Sequence, residues 1–352
     1  MSKNNSNLHK ARNEKNDEFY TRREDIEREL KNYRPHFEGK VIFCNCDDPF
    51  ESEFFTYFAI NFKFLKLKKL IATCYNGSPI SGMELPLWED ENDREARKAC
   101  MLTMDDLYDA NGDGVIDKKD VKSMLLIPGH ITRLEGNGSF DSPECLKILK
   151  ESDIVVTNPP FSQFRKFVAT MMKYDKKFLI IGSMNAITYK EIFPLIKENK
   201  LWLGNNNVAK FIQPDGSEKV FGNITWFTNL EHHKRNEKIF LYKKYNEKDY
   251  PKYENFDAIN VDKVDDIPCD YDGIMGVPKT FISQYCPDQF DIIGCADADI
   301  FPDGWKGMSK EFVDMYYKQG NTGQYKEGNR LAYYIKDGNA VVPFSRILIK
   351  KK

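Results

Sequence analysis

Long apolar runs are missing from this chain. No stretch approaches the roughly 18 consecutive apolar residues of a membrane span, so no membrane association is expected. The start, Met1-Ser2-Lys3-Asn4-Asn5, lacks the apolar core of a secretion signal, and a cytoplasmic protein is expected. The eight cysteines are scattered and form no Cys-x-x-Cys pair, which argues against zinc and for a reduced compartment. No Gly-x-Gly-x-x-Gly follows the first strand-like run, and this disfavours a nicotinamide-dependent oxidoreductase. A strong charge of either sign is missing too. With a net charge of −2, the chain does not coat nucleic acid by bulk attraction.

What is present is an ordinary globular composition, 41% hydrophobic and 30% charged, over 352 residues, enough for two domains or one elaborated domain. The charge is unevenly spread. Residues 84–120 hold twelve acidic and five basic side chains, a local balance of −7. Residues 305–352 hold ten basic and four acidic, a balance of +6, ending in Arg346 and Lys350-Lys351-Lys352. Such a tail is either a solubilising end or an arm that contacts phosphates.

Strand-like apolar runs at 41–45, 70–74, 131–135, 154–157, 178–182, 224–227 and 239–242 alternate with helical spacing at 51–62, 162–172 and 189–198. A charged amphipathic helix over 23–33 precedes them. The alternation predicts a parallel α/β sheet, with ligands beyond the carboxyl ends of its strands. After about residue 244 the character changes to irregular Gly/Pro/Asp-rich sequence, which places a soft domain boundary there.

The fourth run ends in Asn158-Pro159-Pro160-Phe161. The Asn158 side-chain oxygen and the Pro159 carbonyl can both accept hydrogen bonds from one exocyclic NH₂ group. The prolines hold φ and add no donors of their own. Phe161 supplies a flat face for a base extruded from a duplex. The plainer reading is a turn that ends a strand.

With those residues stand four longer strings: Asp17-Glu18-Phe19-Tyr20-Thr21, Phe43-Cys44-Asn45-Cys46-Asp47-Asp48-Pro49-Phe50-Glu51-Ser52, Gly222-Asn223-Ile224-Thr225-Trp226-Phe227-Thr228-Asn229, and Pro268-Cys269-Asp270-Tyr271-Asp272-Gly273-Ile274-Met275-Gly276-Val277-Pro278. Through them the chain resembles the EcoRI-type family of adenine-specific DNA methyltransferases over nearly its whole length, apart from the acidic insertion. The resemblance implies a Rossmann-like, S-adenosylmethionine-dependent sheet that methylates adenine N6 in double-stranded DNA. It implies cofactor contacts from Tyr20 and Thr21, from Cys44, Asn45, Cys46 and Asp47, and from Ser139 and Phe140. Two departures stand out. Ser139 replaces the acid that relatives place before Phe, and no acid follows the second strand at Thr73-Cys74-Tyr75.

The acidic insertion carries a calcium-loop pattern from Asp109 to Asp120. Oxygen ligands would come from Asp109, Asn111, Asp113, the Val115 carbonyl and Asp120, with Asp117 acting through water and Gly114 at the tight turn. Short helices over 102–107 and 121–126 would flank it. An Asx-rich surface turn is the alternative.

Together these readings predict an α/β methyltransferase domain over 1–245, with a calcium-loop hairpin at about 80–128, and a target-recognition region over 246–352. A monomer with a companion restriction endonuclease is expected. Competing readings are methylation of an RNA base or a protein glutamine amide, and a non-catalytic DNA- or calcium-binding protein on the same scaffold.

Overall fold

Val41-Ile42-Phe43-Cys44 is apolar without a break, which suits a strand covered on both faces rather than one with a wet side. The computed structural model describes residues 20–46, 52–75, 99–109, 112–113, 117–125, 129–212 and 217–352. Nine strands among them form one sheet: β1 (Tyr20–Thr21), β2 (Val41–Cys44), β3 (Lys69–Cys74), β4 (Cys100–Met104), β5 (Ile131–Arg133), β6 (Ile154–Thr157), β7 (Lys177–Ser183), β8 (Trp202–Ile212) and β9 (Glu218–Thr228). Their spatial order is β1-β8-β9-β7-β6-β2-β3-β4-β5.

The central strands β7, β6, β2 and β3 are parallel, and β2 and β6 are buried at every residue. β4 and β5 extend the sheet antiparallel on one side, and β9 pairs antiparallel with β7 on the other. The all-parallel sheet expected from the sequence is therefore corrected to a mixed one. Parallel neighbours need long crossovers, and β8 and β9 are separated by too few residues to make one. Residues 204–221, rich in asparagine, lie largely within these two strands. Asparagine has little strand propensity of its own, and sheet pairing overrides it. The short helix expected over 102–107 is likewise replaced by β4, which pairs with β3 from Cys100 to Met104.

Helices cover both faces. Ser52 caps the Glu53–Ile60 helix, its hydroxyl oxygen accepting from Phe54 N at 3.1 Å. That helix buries Phe54, Phe55, Tyr57 and Phe58 in the larger core, with Ile42, Val156, Leu179 and Trp226. The Phe164–Lys173 helix buries Phe164, Phe167, Val168 and Met171, an i, i+3, i+4, i+7 stripe. Its Phe164 ring fills the space where a Cβ on Gly182 of β7 would stand. Among the described residues no helix is long and apolar enough to cross a membrane.

The chain divides into two compact units. One comprises the described residues up to Met184 with Leu203–His232, and the other Asn185–Trp202 with His233–Lys352. The sequence placed its boundary near residue 245; the structural division lies earlier and adds 185–202 to the C-terminal unit. The second unit has its own sheet of β10 (Ala258–Asn260), β11 (Ile274–Pro278), β12 (Phe290–Cys295) and, past a hairpin of β13 (Tyr334–Lys336) and β14 (Asn339–Val341), β15 (Arg346–Lys351). The basic tail is thus β15, an inner strand between β11 and β12 with Ile347, Leu348 and Ile349 buried. Lys351 Nζ donates to the Cys269 carbonyl at 2.6 Å. The run 239–242 is no strand: Ile239 bonds the Gln289 side chain through both its N–H and its carbonyl.

One buried carboxylate ties the Arg23–Leu30 helix to β8. Glu29 accepts from Asn205 N at 2.7 Å and Tyr33 OH at 2.9 Å on one oxygen. The other oxygen takes Asn206 N at 2.8 Å and Asn206 Nδ2 at 2.7 Å. Burial pushes its carboxyl above the usual range while these donors pull it down. A Cβ at Gly204 would collide with the same carboxylate. Glu29→Ala leaves these donors without an acceptor, and each buried unpaired group costs about 1–3 kcal/mol. A urea melt is expected to lose at least ~3 kcal/mol, and a loss below ~1 kcal/mol would count against the clamp.

Candidate active site

β2 has β3 on one side and β6 on the other, in a register that pairs Ile42 with Ile154 and Phe43 with Val155. The chain leaves β2 toward β3 and returns later to β6 on the opposite flank. The strand that follows β2 in the chain, β3, and the one that follows β6, β7, thus lie on opposite flanks of the pair, and open α/β sheets bind ligands beyond the carboxyl ends at such a point. Asn45 and Cys46 sit at the end of β2, and Asn158-Pro159-Pro160-Phe161 at the end of β6. Asp47 lies outside the described residues.

Asn158 is half-buried and its side-chain oxygen is fully enclosed. Pro159 is buried. The Pro160 carbonyl accepts from Gln163 N at 2.9 Å, closing the one-turn helix Phe161–Gln163. The Phe161 ring stands edge-on to Phe211 of β8, with centroids 6.3 Å apart at 87°. Phe211 in turn meets Phe221 of β9 at 5.5 Å and 80°. This ladder of rings fixes the plane of Phe161.

β1 sets Tyr20 and Thr21 beside β8. Thr21 pairs with Phe211, and Tyr20 with Ile212 through its backbone. Thr21 is 4% exposed, and its hydroxyl has no hydrogen-bond partner among the described residues. Asn45 is 1% exposed; its Oδ1 receives Cys46 Sγ at 3.8 Å, while its Nδ2 meets no acceptor among the described residues. Buried polar groups are nearly always satisfied, so these two atoms, unpaired among the described residues, are candidates to meet a polar ligand. Cys44 is buried in the core under the loop.

The loop after β5 packs on the end of β3. Gly138 has φ +75°, and a Cβ there would run into the Cys74 carbonyl and Ala99, so glycine is required. Ser139 Oγ donates to Asp141 Oδ1 at 2.5 Å, and Asp141 also pairs with Lys166. Lys166 and Ser139 hold the Asp141 carboxyl below the ordinary range. Phe140 is buried, its ring 4.9 Å from Phe167. Sequence reasoning passed over Asp141, an acid one residue after Phe140 rather than before it. It also assigned no site role to Asn223 of β9, whose Nδ2 donates to Ser183 Oγ at 3.2 Å while its Oδ1 is buried without a donor among the described residues. The signal for Asn223 was an amide just before the strand-like run 224–227, within the string 222–229.

Of the expected calcium ligands, Asn111 and Val115 lie outside the described residues. Asp109 Oδ1 accepts from Gly112 N at 2.6 Å, and Asp120 Oδ2 from Asp117 N at 2.7 Å at the start of the Lys118–Leu125 helix. Asp113 is exposed. Among the described residues no three acidic, thiol or imidazole groups gather into a metal site.

The family described as adenine-specific methyltransferase EcoRI matches residues 7–352. The chain is 45% identical over 316 residues to the Type II methyltransferase M.EcoRI of Escherichia coli, covering 83% of this chain and 90% of that one. It is 38% identical over 310 residues to the Type II methyltransferase M.MpnI of Mycoplasma pneumoniae, covering 82% and 85%. It is 36% identical over 310 residues to M.MgeORF184P of Mycoplasma genitalium, covering 82% and 86%. No solved structure matches the chain.

Proposed function

The chain belongs to the EcoRI family of adenine-specific methyltransferases, and from that premise we propose that Asn158-Pro159-Pro160-Phe161 is its catalytic motif and double-stranded DNA its substrate. Family membership removes the RNA-base, glutamine-amide and non-catalytic readings. It also implies S-adenosylmethionine, which supplies an electrophilic methyl on a sulfonium when bound. The observation that supports the assignment of residues is the parallel pairing of β2 with β6, whose carboxyl ends are followed by Asn45 and Asn158.

The adenine amine is a weak nucleophile because its lone pair is spread into the ring. Asn158 Oδ1 and the Pro159 carbonyl accept its two hydrogens, favour a pyramidal nitrogen and stabilise the charge that develops there. Phe161, steadied by Phe211, stacks on the extruded base. The work of the protein is placement and electrostatic complementarity. Thr21 Oγ1 and Asn45 Nδ2 suit the carboxylate and ammonium of the cofactor's amino-acid end, since one can accept or donate and the other donates. Tyr20, Cys44, Cys46 and Asp47 complete that wall. Phe140 and Ser139 border the adenosine end, with Asp141 as the nearby acid. Residues 246–352 are the part that reads the target sequence. A cytoplasmic monomer, working beside a restriction endonuclease, completes the proposal; the Type II names of the relatives support it.

The test is methyl transfer from labelled cofactor to adenine in duplex DNA. Asn158→Ala is expected to slow it about 100-fold or more, by analogy with loss of one preorganised hydrogen-bonding group, with cofactor affinity nearly unchanged. Phe161→Ala is expected to weaken DNA binding by about 1–3 kcal/mol. Near-normal turnover of Asn158→Ala would remove the central assignment.

Calcium is a separate proposal, supported by the twelve-position pattern of Asp109, Asn111, Asp113, Val115 and Asp120. Asp109 and Asp120 already accept backbone N–H bonds, as both a calcium loop and an Asx turn require. Isothermal titration at millimolar calcium is expected to release heat and raise Tm. No heat and no shift make the loop a plain turn.

A further inference from the structure

Within the second unit, Phe240 is 84% exposed and Tyr242 58%. Their rings stack 6.4 Å apart at 22°. Side chains alternate along this short run, with Ile239 and Leu241 half-buried and Phe240 and Tyr242 turned out. The run is pinned at both ends. Ile239 N donates to Gln289 Oε1 at 2.7 Å and its carbonyl accepts from Gln289 Nε2 at 2.8 Å. At the other end the Lys243 carbonyl accepts from Cys269 N at 2.8 Å, in a bridge to Pro268. Two aromatic rings held outward on an anchored arch leave apolar area in water that a partner would cover.

The charge around the rings says which partner. Residues 233–244 carry five Lys or Arg and one Glu, a balance of +4 in a chain whose total is −2. Lys238, Lys243 and Lys244 are exposed, and Lys243 Nζ stands 5.6 Å from the Tyr242 ring. A flat aromatic pair flanked by cations matches base faces flanked by phosphates. An apolar protein surface gains nothing from those lysines. We propose that Phe240 and Tyr242 form a base-stacking contact to DNA, with Lys238, Lys243 and Lys244 on the adjoining phosphates. The inference rests on the DNA-methylating function above and adds a contact outside the Asn158 motif.

The experiment first locates the site that the wild-type enzyme methylates, by sequencing N6-methyladenine in DNA exposed to it. A fluorescein-labelled duplex carrying that site then reports binding by anisotropy. Phe240→Ala is expected to raise Kd about tenfold, and Phe240→Ala/Tyr242→Ala more. Phe240→Trp keeps binding within about twofold, because any aromatic face stacks, while Phe240→Leu behaves like Phe240→Ala. Cofactor affinity and Tm stay at wild-type values, because both rings lie outside the core. Unchanged DNA affinity in the double variant overturns the proposal. So does a Phe240→Leu protein that binds normally, or a double variant that only dissociates a dimer in sedimentation. A wild-type enzyme that methylates no DNA fails at the first step, and it takes the substrate reading down before any variant is measured.

Discussion

The parallel pairing of β2 with β6 is the constraint on which the rest of the first unit depends. Both strands are buried on both faces, so neither can shift register without carrying apolar groups into water. The strands that follow them in the chain, β3 and β7, lie on opposite flanks of the pair. Asn45 follows the end of β2 and Asn158 the end of β6. Polar side chains thus stand at the ends of apolar strands, and the prolines after Asn158 keep the backbone there from relaxing into a helix.

The same logic joins stability to the site through the sheet edge. Glu29 clamps the Arg23–Leu30 helix to Asn205 and Asn206 of β8, and β8 holds β1 by its pairing with Thr21. Phe211, the residue opposite Thr21, braces the Phe161 ring. One buried carboxylate thus lies two short steps from the stacking face. A carboxylate in that position is costly unless every lone pair has a donor, and here Tyr33, two consecutive backbone amides and the Asn206 side-chain amide provide them.

Charge is deployed locally in this protein rather than as a global field. The near-zero total conceals an acidic stretch, a basic C-terminal strand and a basic arch at 233–244. In β15 and just past its end the cations are partly engaged: Arg346 donates to Asn260 Oδ1 at 3.0 Å, and Lys352 lies 3.4 Å from Asp291. Charges that hold a sheet together do a different job from charges left in water beside exposed rings, though a count of residues treats them alike.

Much of the architecture could be read from the chain alone. Continuous apolar runs determined β2, β3, β6 and β7, because a strand buried on both faces has no polar alternation to blur it. Apolar spacing determined the Glu53–Ile60 and Phe164–Lys173 helices, and the tetrapeptide at 158–161 pointed to amine chemistry. Tertiary structure alone decided the rest. Asparagine-rich β8 became a strand because β1 and β9 offered it partners, and the lysine tail became an inner strand because β11 and β12 stand on either side. The run 239–242 lost its strand to the side chain of Gln289. Periodicity records which face of a segment is apolar, but it holds no information on which distant backbone will supply the hydrogen bonds.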